Sequence, residues 1–275
     1  MGVALGIAGR SWWRQSFSVA AALLLTLSGC AYRPSRPPLA EPAATEAREA
    51  FRRMAAGQSI CARGVDAEVT VTIAAPWQSG SMDGYLQLMA PGFLKFVGVN
   101  PLGQPLVLAA TDGENCRYVL PSERKVYEGA LAGADLRRFL PEGLDPGRSY
   151  YWLIGRLRPG VLKIQELAGD PDGKGVWVRF LYEGESRGEL ALLDPLRLTL
   201  HRHLLLDAQE RVAFEVEYDA YPAGDCPLPG LVTIRGDSRY GRLVLRLGNW
   251  LPADTLTSDN FKISAPADFT RITIK

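Results

Sequence analysis

Several groups of residues have types and spacings that chemistry can use. Gly184-Glu185-Ser186-Arg187-Gly188 matches the G-x-S-x-G string of a nucleophile elbow, with Asp194 and His203 following in the order of a hydrolytic triad. An elbow needs a strand, a sharp turn and a helix. Ser186 instead falls between two stretches of strand alternation, and Asp194-Pro195 stops any helix, so the segment reads as a hairpin turn. His201 and His203 are two apart and would share a strand face with Arg197 and Thr199; no cysteine or carboxylate cluster joins them to supply the ligands of a zinc site, and they read as a solvated polar face. Asp170-Pro171-Asp172-Gly173-Lys174-Gly175 lacks the length and terminal glutamate of a calcium loop and reads as a β-turn. With no coherent nucleophile, base and orienter, the expectation is a non-enzyme with no catalytic residue, no metal and no cofactor.

The cysteines offer a different chemistry. Residues 1–29 contain Arg10 and Arg14 but no Asp or Glu, and the apolar run from Val19 to Leu27 ends in Leu27-Ser28-Gly29-Cys30. A charged n-region and a short apolar h-region, about half the length of a membrane span, make an export signal. The small residues before the cysteine resemble the lipobox of bacterial lipoproteins, which implies cleavage before Cys30 and acylation of that residue. Two or more acyl chains, each buried methylene contributing about 0.8 kcal/mol, anchor a protein without a spanning helix. Ala31 in place of aspartate favours the outer membrane by the same resemblance. Cys61, Cys116 and Cys226 then remain, and an oxidising compartment allows one disulfide among them in any of three pairings.

The chain has 275 residues, 47% hydrophobic and 22% charged, with 31 Lys and Arg against 30 Asp and Glu. Loss of residues 1–29 leaves 29 against 30, so no basic excess marks a nucleic-acid partner. Three regions are expected: a signal peptide at 1–29, an acylated N-terminus with a Pro-rich tether at 30–42, and one domain at 43–275. Pro34, Pro37, Pro38 and Pro42 make the tether semi-extended.

The domain opens with Ala47, Phe51 and Met54 on one face of a helix over 43–56. Period two follows. Val65, Ala67, Val69, Val71 and Ile73 oppose Asp66, Glu68, Thr70 and Thr72, and similar alternation recurs over 176–182, 196–206, 212–219 and 242–247. Short turns such as Asp172-Gly173 and Ala208-Gln209 join these segments, so an antiparallel sheet with one apolar and one wet face is predicted. Further helices are expected over 135–140 and near 148–157, and a further strand over 261–263. Few helices are available to cover the apolar face. The fold class is therefore mainly β, a curved antiparallel sheet in half-barrel form with a helical lid over an apolar cavity; a closed barrel or sandwich with a solid core is the alternative.

The segment Trp77–Gly113 carries Trp77-Gln78, a strand through Tyr85-Leu86-Gln87-Leu88, the turn Asn100-Pro101-Leu102-Gly103 and a strand from Pro105; Tyr151–Leu157 and Pro227–Trp250 follow. In this order the pieces resemble the LolB and LolA superfamily of lipoprotein-localisation factors, LolB more closely. The resemblance implies an acyl-chain cavity, a periplasmic LolA-type carrier as partner, and a receptor on the periplasmic face of the outer membrane that inserts lipoproteins there. It also implies that Leu102, between Pro101 and Gly103, enters the bilayer. From the residues alone, Pro101 and Gly103 favour an outward Leu102, while folding back onto the sheet is equally open. The cavity wall is assigned to Val69, Val71, Leu86, Leu88, Leu106, Leu108, Phe214 and Val216, with Trp152 and Ile154 on the lid. The partners expected are lipoprotein acyl chains or another lipid, with the protein a monomer and no nucleic acid bound. A longer chain than the family norm, with extra sequence at 90–99 and from Leu251, leaves a second reading, a lipid-binding envelope sensor or assembly lipoprotein without transfer activity.

Overall fold

Alternation of apolar and polar residues organises the computed structural model, which describes residues 36–275 apart from 62, 76–77, 135–146, 148 and 237–240. The signal segment, Cys30 and the helix expected over 135–140 lie outside the described residues. Helix α1 (Ala43–Gly57) forms from an alanine-rich run of high helix propensity. The Glu41 carboxylate accepts from the Thr45 backbone N–H at 3.2 Å and the Thr45 hydroxyl at 2.7 Å, doing the work of a cap.

The strands are β1 (Gly64–Ala75), β2 (Gln78–Met89), β3 (Phe93–Val99), β4 (Pro105–Thr111), β5 (Asn115–Leu120) and β6 (Lys125–Ala130); then, after the short helix α2 (Ser149–Leu153), β7 (Leu162–Gly169), β8 (Val176–Tyr182), β9 (Glu189–Asp194), β10 (Thr199–Leu206), β11 (Val212–Asp219), β12 (Leu231–Arg235), β13 (Arg242–Pro252) and β14 (Thr270–Ile274). Two antiparallel meanders, β1–β6 and β7–β13, join where β1 pairs with β13. β14 adds parallel to β6, giving one open, curved 14-stranded sheet with β14 and β7 at its edges.

The inner face of the sheet holds the main core. Val65, Ala67 and Val69 of β1 sit beside Leu86 and Leu88 of β2, and Phe180, Phe214, Val216 and Leu247 continue the layer across the second meander. Ala44, Ala47, Ala50, Phe51 and Met54 of α1 pack on this layer; the small alanines admit a close approach, and Phe51 meets Phe180 at 5.3 Å between ring centroids. Gly155, in the left-handed region at φ 66°, ends α2, and the Tyr221 hydroxyl lies where a side chain would stand. Cys61, just beyond α1, is bonded to Cys226 in the β11–β12 connection, which selects one of the three pairings; Cys116 is the free, half-buried thiol.

Two expectations need correction and one gains detail. The semi-extended tether makes contact with the domain: Arg36–Leu39 run along the end of edge strand β7, with Pro38 bridged to Ala168, and the Arg36 guanidinium lies 4.2 Å from the Trp177 ring centroid. The tail forms a 3₁₀ turn at Ser258–Phe261 where a strand was expected over 261–263, and its strand comes later, at Thr270–Ile274. This tail crosses the outer face: the Phe261 ring meets that of Phe93 at a tilt of 50°, Ile263 packs with Ala110, Val119 and Val126, and Arg117 donates to the Ile263 carbonyl at 2.7 Å. Finally, β10 does not begin at Leu196, which is exposed in a turn, and its alternation breaks at His201. The register steps from Leu200–Leu193 to Arg202–Leu192, so one residue bulges out and every later side chain changes face.

Candidate functional site

The sheet register gathers the β3–β4 and β5–β6 turns, the β10–β11 hairpin and the β12–β13 connection at one end. From the packed core toward that end the inner face stays apolar. Val71, Ile234 and Leu243 are half-buried, while Ile73 is 39% exposed. Ile73 pairs with Leu243, and Leu243 with Ile234, so these side chains form one continuous row. The inner face is therefore filled by helix side chains at depth and less covered toward the β3–β4 end, and the expected helical lid over an apolar cavity is not seen among the described residues.

The predicted wall residues divide. Val69, Leu86, Leu88, Trp152, Ile154, Phe214 and Val216 come together in the buried core, packed among side chains of α1 and α2, and Val71 lies at its margin. At this depth the helices pack directly on the sheet. Leu106 and Leu108 do not join them. Leu86 stands opposite Phe96 and Phe96 opposite Ala109, so odd-numbered residues of β4 face inward; Leu106 is 39% exposed, and Leu108 packs under the C-terminal segment. Both faces of β4 are apolar because both are covered, one by the trough and one by the tail, which removes the signal that fixes phase.

The turn at the open end is built by Asn100. Its side-chain oxygen accepts from the backbone N–H groups of Leu102 and Gln104, each at 2.9 Å, and its carbonyl accepts from Gly103 at 2.8 Å. Gly103 sits at φ 77°, the conformation that returns the chain. Leu102 points away from the sheet and is 83% exposed, which decides between the two orientations open in the sequence.

The bulge at His201 places an unexpected polar group in the trough. His203 faces inward, its side chain 3% exposed, stacked on Trp152 at 4.0 Å with 8° between the planes. Its Nε2 lies 2.6 Å from Oε2 of Glu189, itself 7% exposed. His203 is thus not on a solvated face, and it was hidden in the sequence because unbroken alternation assigned it outward. Tyr218, deep in the same layer, donates its hydroxyl to the Trp152 carbonyl at 2.8 Å, and Tyr221 donates to the Leu200 carbonyl at 2.9 Å. Burial pushes the phenols of Tyr182, Tyr218 and Tyr221 up, so they act as donors.

The residues of the triad-like string do not assemble. Ser186 is exposed on the β8–β9 connection, Asp194 accepts from the Leu196 and Arg197 backbone N–H groups and lies 3.8 Å from His201, and His203 turns to Glu189. Asp170 similarly closes the β7–β8 turn and accepts from Trp177 Nε1 at 2.8 Å.

The sequence matches no protein-family model and no curated protein. Solved structures are similar in fold: a LolA superfamily protein from Nitrosomonas europaea, with a TM-score of 0.51 at 12% identity over 79% of this chain and 97% of that one; a proposed outer membrane lipoprotein-sorting domain from Vibrio parahaemolyticus, with 0.54 at 9% over the same shares; and a DUF1329-family protein from Desulfovibrio piger, with 0.53 at 10%, again over 79% and 97%. At these identities the likeness is one of fold: the chain is folded like these three structures, one of them a LolA superfamily protein.

Proposed function

We propose that this protein is a lipid-anchored lipoprotein, acylated at Cys30 on the periplasmic face of the outer membrane, that takes acyl chains into its trough and assists delivery of lipoproteins to that membrane. The observation that carries the reading is the apolar inner face that continues from the core to the partly exposed row of Val71, Ile73, Leu243 and Ile234. Hydrocarbon entering there gains about 0.8 kcal/mol for each methylene it buries, so a dozen methylenes supply on the order of 10 kcal/mol against which displaced side chains and lost chain freedom are set. Deeper entry requires α1 to yield, because Phe51 and Met54 occupy the layer over Phe180 and Leu88.

Leu102 stands at the same end of the sheet as the exposed row. In this reading it dips into the leaflet and brings the trough mouth to the bilayer, and a LolA-type carrier hands over the client at that mouth. Directional transfer needs only small differences in affinity among carrier, receptor and membrane.

The test is transfer of a radiolabelled lipoprotein from carrier to liposomes. Wild-type protein is expected to transfer label and Leu102→Glu to lose most of it while still binding the client. Transfer that is equal or absent in both would remove the delivery role. Native mass spectrometry separates the remaining possibilities: a co-purifying lipid leaves a lipid-binding envelope lipoprotein, and a chain that stays empty under lipid challenge removes acyl binding too.

A further inference from the structure

A buried histidine hydrogen-bonded to a carboxylate on an apolar sheet face is out of place unless something uses it. Nε2 of His203 is taken by Glu189 at 2.6 Å, whereas Nδ1 is buried and has no hydrogen-bond partner among the described residues. Folded proteins seldom leave a buried polar atom unpaired, because it gives up water and receives nothing. The surroundings are aromatic: Trp152 is stacked on one side, Phe180 lies 6.0 Å away, and Phe214 meets the Trp152 ring edge-on at 5.2 Å. The groups around the pair that carry charge or a proton are the phenols of Tyr182 and Tyr218, and Arg158, whose guanidinium lies over the Tyr182 ring.

We propose that His203, oriented by Glu189, is a polar recognition point within the trough for an amphiphile whose hydrocarbon chain carries a hydrogen-bonding oxygen, of the hydroxyl or carboxylic acid class. This rests on the acyl-binding reading and adds the ligand's polar group to it. A carboxylate accepts, so Nε2–H donates to Glu189, and in the neutral tautomer that this bond selects Nδ1 is a bare acceptor. An acceptor calls for a donor, which a hydroxyl or an undissociated acid supplies and an ester or an alkane does not. His203 pairs with Val216, Val216 with Ile234 and Ile234 with Leu243, so the point stands in line with the apolar row, at its buried end across the sheet. A chain lying along that row from Ile73 brings its polar group to His203.

The experiment uses the full acylated protein in phospholipid nanodiscs and three chain-matched C16 photoprobes: an alcohol, a methyl ester and an alkane. Labelling of the trough is quantified by peptide mapping, and the imidazole nitrogens are followed by NMR, which is practicable because the chain has only two histidines. The alcohol is expected to label the trough roughly tenfold more than the alkane at equal concentration in the disc, the worth of one buried hydrogen bond, and to move the Nδ1 resonance of His203. His203→Phe is expected to abolish that preference while retaining hydrocarbon labelling. Glu189→Gln, which keeps the shape and lets the ring exchange tautomers, is expected to raise the ester relative to the alcohol and covers the case in which His203→Phe does not fold. Equal labelling by alcohol and alkane, or an Nδ1 resonance that no probe moves because it holds an ordered water only, overturns the inference and leaves acyl binding standing. No labelling by any probe overturns both.

Discussion

Leu88 and Leu102 are a hairpin apart, and their surroundings give opposite expectations. Leu88 is fully buried among β1, β3 and α1, so Leu88→Ala removes contacts and leaves a cavity, a loss of about 2–5 kcal/mol that a shift of the urea midpoint will read. Leu102 touches mostly solvent, and Leu102→Glu should leave stability within about 0.5 kcal/mol of wild type while reducing lipoprotein transfer. Measuring both on the same preparations separates a folding effect from a functional one. The turn itself was readable, since Asn-Pro-Leu-Gly has a residue suited to each position. His203 was not, because counting by twos along β10 fails once a bulge adds a residue, and a bulge has no reliable mark in the sequence.

The same limit operates at the level of elements. β1 was legible because only its inner face is covered, and α1 because its apolar stripe meets a sheet on one side only. β4 was not, because the C-terminal segment covers its outer face and makes both faces apolar. That segment behaves as a strap: Lys95 donates to the Asn260 carbonyl at 2.8 Å, Arg117 to that of Ile263, and β14 then completes the edge beside β6. A chain ending at Ala253 should therefore expose Val119 and Val126 and lose on the order of 3 kcal/mol, the burial of Phe261 and Ile263 less the ordering of the strap, seen as a lower urea midpoint with increased binding of a hydrophobic dye. The Cys61–Cys226 bond ties α1 to the β11–β12 connection across a sequence separation of 165. On the chain-entropy account a loop of that length adds about 5 kcal/mol at most, so the Cys61→Ser, Cys226→Ser double variant should unfold at lower urea with a steeper m-value, as its unfolded chain expands further.

Across the whole molecule, stability is distributed over one continuous sheet, and acid should find it at several places together. Burial alone would raise Glu217, but the hydrogen bond and charge of Arg235, 2.6 Å away, with Arg202 and Arg242, hold it below the usual range. The backbone N–H groups of Arg211 and Gln209, with the Arg211 guanidinium, do the same for Asp207 in the β10–β11 hairpin. For Asp112, burial is outweighed by the N–H groups of Asn115 and Glu114 in the β4–β5 turn. Each group has a lower pKa folded than unfolded, so the unfolded chain takes up protons first and acidification favours it. Their contribution is complete above the ordinary carboxylate values, near pH 4 to 4.5, and disappears as pH falls through the folded values below them. These groups therefore predict equal urea midpoints at pH 7 and pH 5 and a fall by pH 3. Glu217→Gln should lower the midpoint at pH 7 and soften the acid loss, because the neutral amide keeps a hydrogen bond to Arg235 but forfeits the charge. A midpoint that rises on acidification would show that the charged pairs of the outer face work against the fold, and that the apolar inner face alone holds the two meanders together.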